Sequence, residues 1–388
     1  KLNVGAQALL CVVVGLILLA KVSLFDYVSD DYDIFLSNWI YEYSQMGIKQ
    51  GLGTYIGSDY TPPYLYLLLL ISRVKNYPWQ YLVKAVSMAF EVLLAYAVTQ
   101  LAGLQVRGAG KRVVIFNLTL MLPTVVFNGA YWGQCDVIYT SLCLTALYMA
   151  LQKKSARSMI LFGMALSFKL QTVFFLPALL PLWLRKDIKL RHLALIPAAY
   201  MAMMIPAFWG GKSLHHALTV YTAQASTYNF MTVNGPSLYN LPASMDRDML
   251  YTMFSGMAMA LGMAMLAIVC LMVCLHREHI TREGTLLTCL LVLGGVPFFL
   301  PKMHERYTFG ADVLALAIAA YNPKRVWLPL LFGLSSYICY TAGLPGDAIF
   351  DLKWATVFQG AAVALTAAAL YRSLNEEKAE AALAEVKA

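Results

Sequence analysis

Residues 250–275 read LYTMFSGMAMALGMAMLAIVCLMVCL, a run without one acidic or basic side chain. Wound as an α-helix at about 1.5 Å per residue, it reaches further than the roughly 30 Å of hydrocarbon in a bilayer. The rest of the chain has the same character. Its 388 residues are 60% hydrophobic and 13% charged, with a mean hydropathy of +0.63. That balance excludes a water-soluble globule. Continuous Leu/Ala/Met/Val runs with polar interruptions at helical spacing exclude the short alternating strands of a β-barrel. The expectation is an all-α integral membrane protein.

The net charge of +8 is spread over the loops. Lys1, Arg107 to Arg112, Lys153 to Arg157, Arg185 to Arg191, Arg277 to Arg282, Lys324 with Arg325, and Arg372, Lys378 and Lys387 form the basic groups. An excess of Lys and Arg marks the cytoplasmic side, facing anionic lipid, so a nucleic-acid partner is not expected. The seven cysteines are odd in number and mostly lie inside apolar runs, so no disulfide framework follows. Cys270 and Cys274, one turn apart without histidine partners, read as core fillers.

These constraints predict about twelve spans in one domain over 1–374, with both termini cytoplasmic. The first span, 4–20, is expected to stay uncleaved and to run outward to Lys21, opening a first external loop at about 23–79. Within that loop 34–46 carries Phe35, Leu36, Trp39, Ile40 and Tyr43 at helical spacing, the pattern of a helix lying in the interface. Pro62 and Pro63 start a helix too short to cross, read as juxtamembrane and still outside. Further spans follow at 79–104, 113–127, 137–151, 158–168, 172–184, 193–208, 250–275, 286–300, 308–321, 326–340 and 354–371. A second large external loop covers about 210–247, and 375–388 forms a polar cytoplasmic tail.

This topology collects the costly polar residues on one face: Asp26, Asp30, Asp31, Asp33, Glu42 and Asp59, then Asp136, Lys169 and Lys302 to Tyr307. Ionisable groups at membrane depth are functional by default. A carboxylate there can act as a general base, and Lys169, Lys302, His304 and Arg306 form a cationic set able to hold a phosphate. The carboxylates alone equally suit Mg²⁺, Mn²⁺ or Ca²⁺. Glu91 and Asp312, inside spans, read as hydrogen-bond partners.

Five short stretches then stand in order on that face: Asp31-Tyr32-x-x-Phe35-Leu36-x-x-Trp39, Asp59-Tyr60-Thr61-Pro62-Pro63-Tyr64-Leu65-Tyr66, Trp132-Gly133-Gln134-x-Asp136, Ser167-Phe168-Lys169-Leu170-Gln171 and Lys302-Met303-His304-Glu305-Arg306-Tyr307. Together they resemble the bacterial polytopic GT-C superfamily glycosyltransferases. Those enzymes are dependent on polyprenyl-phosphate sugars, mannosyltransferase-like, and distantly related to enzymes that mannosylate GPI anchors, phosphatidylinositol mannosides and proteins. The resemblance implies a multi-pass plasma (inner) membrane enzyme with an extracytoplasmic site. It implies inverting transfer of a hexose (mannose, galactose or glucose) from a polyprenyl-phosphate donor to a hydroxyl of a cell-surface glycan or glycolipid.

Carried over, the general base falls on Asp31, with Asp30 as the neighbouring alternative. Asp136 orients the acceptor or base, or binds a metal where one is used. Lys169, Lys302, His304 and Arg306 fall near the donor phosphate, and Asp59, Tyr60, Tyr64, Trp132, Gln134, Gln171 and Glu305 line the sugar or acceptor path. Because the leaving phosphate is a good one, no cofactor is expected, a divalent metal being the alternative. The rival reading is a transporter or flippase of lipid-linked sugars, against which the lack of a visible internal repeat weighs.

Overall fold

The computed structural model describes residues 4–226, 229–242, 247–344 and 349–387, with the side chains of residues 6, 223, 225–226, 247–248 and 376 onward outside that description. α1 (Val4–Val22) leads into a loop with three short helices, α2 (Ser37–Ser44), α3 (Ile48–Gly53) and α4 (Pro62–Ile71). α5 (Trp79–Ala102), α6 (Ala109–Met121), one-turn α7 (Pro123–Val125), α8 (Asp136–Leu151) and α9 (Ser155–Phe168) follow. Tight 3₁₀ turns at 170–178 lead to α10 (Leu179–Leu184), α11 (Leu195–Trp209) and α12 (Leu214–Ser226). The last part holds α13 (Arg247–Leu275), α14 (Arg282–Phe299), α15 (Phe309–Tyr321), α16 (Trp327–Gly343) and α17 (Leu352–Lys387). One two-residue parallel pairing, β1 (Thr232–Val233) with β2 (Met303–His304), ties the second large loop to the chain after α14.

Among the described residues, six helices are long and apolar enough to cross a membrane: those at 79–102, 190–209, 249–275, 282–299, 323–343 and 352–375. A seventh crossing results if 109–121 and 123–132, bent by 50°, count as one. The bend sits where Leu122, with ψ 126°, precedes Pro123 and is forced out of helical geometry. Six shorter apolar helices of 10–17 residues fall short of the hydrocarbon thickness at about 1.5 Å per residue, and five of them were counted among the twelve spans expected from sequence. α4 is the sixth, and its short length agrees with the reading of the Pro62 segment. α17 continues helically through the expected tail as far as Lys387.

α14 is the axis of the bundle. Every residue from Gly284 to Phe298 is buried, under α13, α15 and α17. The outer helices do the opposite: Leu9, Val12 and Leu16 on α1, and Met253, Met257, Ile268 and Leu271 on α13, are exposed. Apolar stripes of that size belong against lipid tails. The amphipathic 34–46 segment turns its apolar side into the protein. It begins as a wide π-type turn at Tyr32–Leu36, and Leu36, Trp39, Ile40 and Tyr43 are buried beneath α4 and α5. Arg73 closes this arrangement by donating to the carbonyls of Met46 at 2.7 Å and Tyr43 at 2.6 Å.

Lys21 departs from the expected interfacial span end. Its ammonium lies 2.5 Å from Glu91 Oε2, and the two side chains are 3% and 0% exposed. Coulomb attraction at low dielectric offsets the loss of hydration only while both partners remain. Replacing Glu91 by Leu should destabilise the protein by about 3–5 kcal/mol, and adding Lys21→Met should restore most of the loss. Thermal unfolding of the detergent-solubilised variants checks this; a double variant no more stable than Glu91→Leu refutes the pairing energetics.

Candidate active site

Several of the short helices stop at a common level. α4 begins just after Asp59 and Tyr60, α8 after Gln134, α9 ends before Lys169, and α15 begins after Tyr307. Each of these flanking residues lines a single cavity of about 860 Å³. The helices are short because their ends form its walls. Basic turns lie at the far ends of three helices that reach the cavity: α8, α13 and α15 end beside Lys153, Arg277 and Lys324 respectively. Two of these turns meet where Arg325 Nε contacts Glu283 at 2.9 Å.

Of the residues singled out from sequence, Asp31, Asp59, Tyr60 and Gln134 line this cavity, as do Lys169, Gln171, Lys302, His304 and Arg306. Five do not. Asp30 points to solvent, and Tyr64 stands behind Tyr60, ring centroids 4.7 Å apart. Trp132 lies under the Arg306 guanidinium at 5.0 Å, a cation–π contact. Glu305 is buried beside Arg306, and Asp136 is sealed in the wall.

Asp31 is the centre of the polar wall. Its Oδ2 accepts from Gln134 Nε2 at 2.6 Å and faces Arg306 Nη1 at 3.5 Å. Gln134 Oε1 accepts in turn from the Tyr60 hydroxyl at 3.4 Å. Arg306 Nη1 also contacts Glu305 Oε1 at 3.2 Å, while its Nε is buried without an acceptor among the described residues. Asp136 and Lys169 satisfy each other, 2.6 Å apart with side chains 0% and 4% exposed. Asn128 Nδ2 donates to the second Asp136 oxygen at 3.0 Å. Asp136 thus presents no oxygen to the cavity, and Lys169 reaches it with its charge already balanced.

The carboxylate is held from below by α5. Lys84 Nζ donates to the carbonyls of Leu24 and Phe25 at 3.1 Å each and of Tyr27 at 2.7 Å. Ser29 Oγ donates to the Trp132 carbonyl at 3.0 Å, and Ser87 Oγ to that of Gln134 at 2.7 Å. Between them Gly133 takes φ 84°, a left-handed turn that a Cβ disfavours and that sends Gln134 back toward Asp31. Lys84 and Ser87 were not anticipated from the sequence. Their signal was a lysine and a serine inside an apolar helix, where polar groups need partners.

Burial sets the charges. His304 is pushed down to about 2 by desolvation, with Arg306 and Lys169 adding to it, so it contributes a neutral imidazole and not the cation expected of it. Glu305 is pushed up to about 7 by desolvation, against the pull of Arg306. Burial likewise raises Asp59. Lys302 sits in left-handed backbone at φ 65°, its amide donating to the Phe230 and Met231 carbonyls at 3.1 Å. Such strain in a non-glycine residue occurs where neighbours over-determine it. Among the described residues, no three carboxylate, imidazole or thiolate side chains converge as a metal's ligand set.

Residues 59–301 match the family model of glycosyltransferase family 87. The chain belongs to this family. It is also 25% identical over 135 residues to GPI mannosyltransferase 1 of Candida albicans, an overlap of 34% of either protein, so it spans about a third of that curated relative's length. The family 87 match covers Asp59, Gln134, Lys169 and Gln171; it begins after Asp31 and ends before the Lys302–Tyr307 run. The family match and the six long apolar helices among the described residues together mark a multi-pass membrane protein.

Glu305 gives this site a pH signature. Its pKa is about 7 in the fold against 4.5 ordinarily, so the folded protein keeps the proton longer. The stability this supplies is full below pH 4.5 and is lost as pH rises through about 7. The loss is of order 3 kcal/mol. Melting temperature should therefore fall more steeply between pH 5 and 8 in the wild type than in Glu305→Gln; equal slopes would refute the assignment.

Proposed function

We propose that the protein is an inverting hexosyltransferase, moving mannose, galactose or glucose from a polyprenyl-phosphate donor to a hydroxyl of a cell-surface glycan or glycolipid. The site lies at the extracytoplasmic face of the plasma membrane, with both termini in the cytoplasm and residues 1–374 acting as one domain. The observation that carries the reading is the Asp31–Arg306 pair, 3.5 Å apart on the wall of one cavity. A base and a phosphate counterion then stand within reach of one reacting carbon. The positions of the basic turns, at helix ends away from the cavity, support the orientation.

In this scheme Asp31 accepts the proton of the acceptor hydroxyl as that oxygen forms a bond to the anomeric carbon. The bond from the same carbon to the phosphate oxygen breaks on the opposite face. The polyprenyl phosphate leaves with the electron pair and an added negative charge, which Arg306 stabilises more strongly in the transition state than before it. Asp31 is suited to this because it is 32% exposed, and both of its contacts fall on Oδ2, leaving Oδ1 to the cavity. Lys302 adds charge at the rim, His304 an uncharged hydrogen-bonding group. Asp136 acts at one remove, by holding Lys169 in place.

Purified protein assayed with radiolabelled polyprenyl-phosphate hexoses and a membrane glycan fraction tests the reading. Asp31→Asn should abolish transfer, whereas Asp30→Asn should keep most of it. Arg306→Ala should lower the rate by about 10²–10³. Wild-type turnover in Asp31→Asn refutes the base assignment, and a folded protein that uses no donor refutes the function. Turnover should persist in excess EDTA; its loss, with recovery on adding Mg²⁺ or Mn²⁺, would make the reaction metal-dependent.

A further inference from the structure

The cavity has a second side that the transfer chemistry leaves unused. α12 contributes His216, Thr219, Val220 and Gln224 to the lining, positions that share one helix face, while Leu214 and Leu218 on another face are exposed. Tyr55, from the stretch between α3 and α4, meets the His216 ring edge to face at 4.6 Å and 70°. Tyr55 is 59% exposed and lines the same cavity. An aromatic pair is therefore presented to open space where a packed core would have covered it.

Two amide oxygens point to what fills that space. Gln171 Oε1 and Gln224 Oε1 are sealed from the surface and accept no hydrogen bond among the described residues, and both residues line the cavity. A buried acceptor left unmade costs about 1–3 kcal/mol, a cost that a ligand's donor group removes once the amide turns its oxygen into the cavity. His216 is held below its ordinary pKa by desolvation, and then by Lys212 and His215, so near neutral pH it is an uncharged ring. The matching ligand is uncharged, rich in hydroxyl donors, and has one flat face of C–H groups to lie on an aromatic surface. A pyranose ring has all three properties.

We propose that Tyr55, His216, Gln171 and Gln224 form a subsite for a pyranose ring of the acceptor glycan, beside the charged wall that carries Asp31 and Arg306. The proposal rests on the transferase reading for the word acceptor, and on the cavity alone for the sugar. At about 860 Å³ the chamber is near the upper end of ligand-pocket sizes, with room for a donor head group and an acceptor ring together.

Saturation-transfer NMR on the full-length protein in detergent, without donor, tests the subsite. The probes are methyl α-D-mannopyranoside, methyl α-D-glucopyranoside and methyl α-D-galactopyranoside. At least one should show saturation on its ring C–H protons. That signal should drop at least fivefold in Tyr55→Ala and in Gln224→Leu, and persist in Tyr55→Phe, which keeps the ring. Tyr55 is exposed enough that its loss removes no core packing. No signal from any of the three sugars, or an undiminished signal in Tyr55→Ala, overturns the proposal. A protein that binds these sugars through Tyr55 but transfers from no polyprenyl-phosphate hexose keeps the subsite and fails the transferase reading. The reverse result fails the subsite alone.

Discussion

A lysine and an aspartate sealed from water 2.6 Å apart, Lys169 and Asp136, are the joint on which this architecture turns. Asp136 opens α8 and Lys169 follows the last residue of α9, so their attraction pins two helix ends at one level. Asp136 also sits where the helix dipole favours a negative charge. Asn128 extends the joint, donating to Asp136 and to the Tyr340 hydroxyl at 3.1 Å, which brings in the wide π-type turn Val126–Trp132 and α16. Two opposite charges that can exist in so apolar a place only as a pair thus fasten four parts of the chain beneath the cavity floor.

The same electrostatic economy explains the wall above. Glu305, Arg306 and Asp31 form a row in which one guanidinium faces two carboxylates, and Trp132 covers its remaining face. Backbone carbonyls do for Lys84 what carboxylates do elsewhere: three of them satisfy its ammonium without adding charge. Since those carbonyls belong to the chain leading to Asp31, neutralising a buried lysine and placing the carboxylate are one act.

Much of this was legible in the sequence. Residues 250–275 alone require a membrane, the twin prolines at 62 and 63 mark a helix start, and the five polar stretches could be recognised because apolar surroundings make each polar residue costly. Sign and position along the chain are one-dimensional properties. Choice of partner is not: Lys21 and Glu91 lie 70 residues apart, and nothing local distinguishes Lys21 from a span-ending lysine at the interface. Asp136 looked like a site residue on the same grounds as Asp31, and only packing separates a carboxylate that faces a chamber from one that faces Lys169. His304 was read as a cation from its side-chain type, whereas its charge is decided by burial and by Arg306 and Lys169 on either hand. α12, with its mixture of His, Thr and Gln, carries no sequence signal as strong as a charge, so its cavity face emerged only from the fold.

α13 carries Met253, Met257 and Leu271 on its lipid side and gives Tyr251, Ser255 and Met259 to the cavity. The partition between hydrocarbon and chamber is there one helix thick. In the proposed reaction, a donor with a long isoprenoid chain would be supplied by two-dimensional diffusion and counted as a mole fraction of the leaflet, while a soluble glycan acceptor would arrive from solution and be counted in molarity. Rates for two such reactants would not share one concentration scale, and diluting the protein into more lipid would alter the one without touching the other.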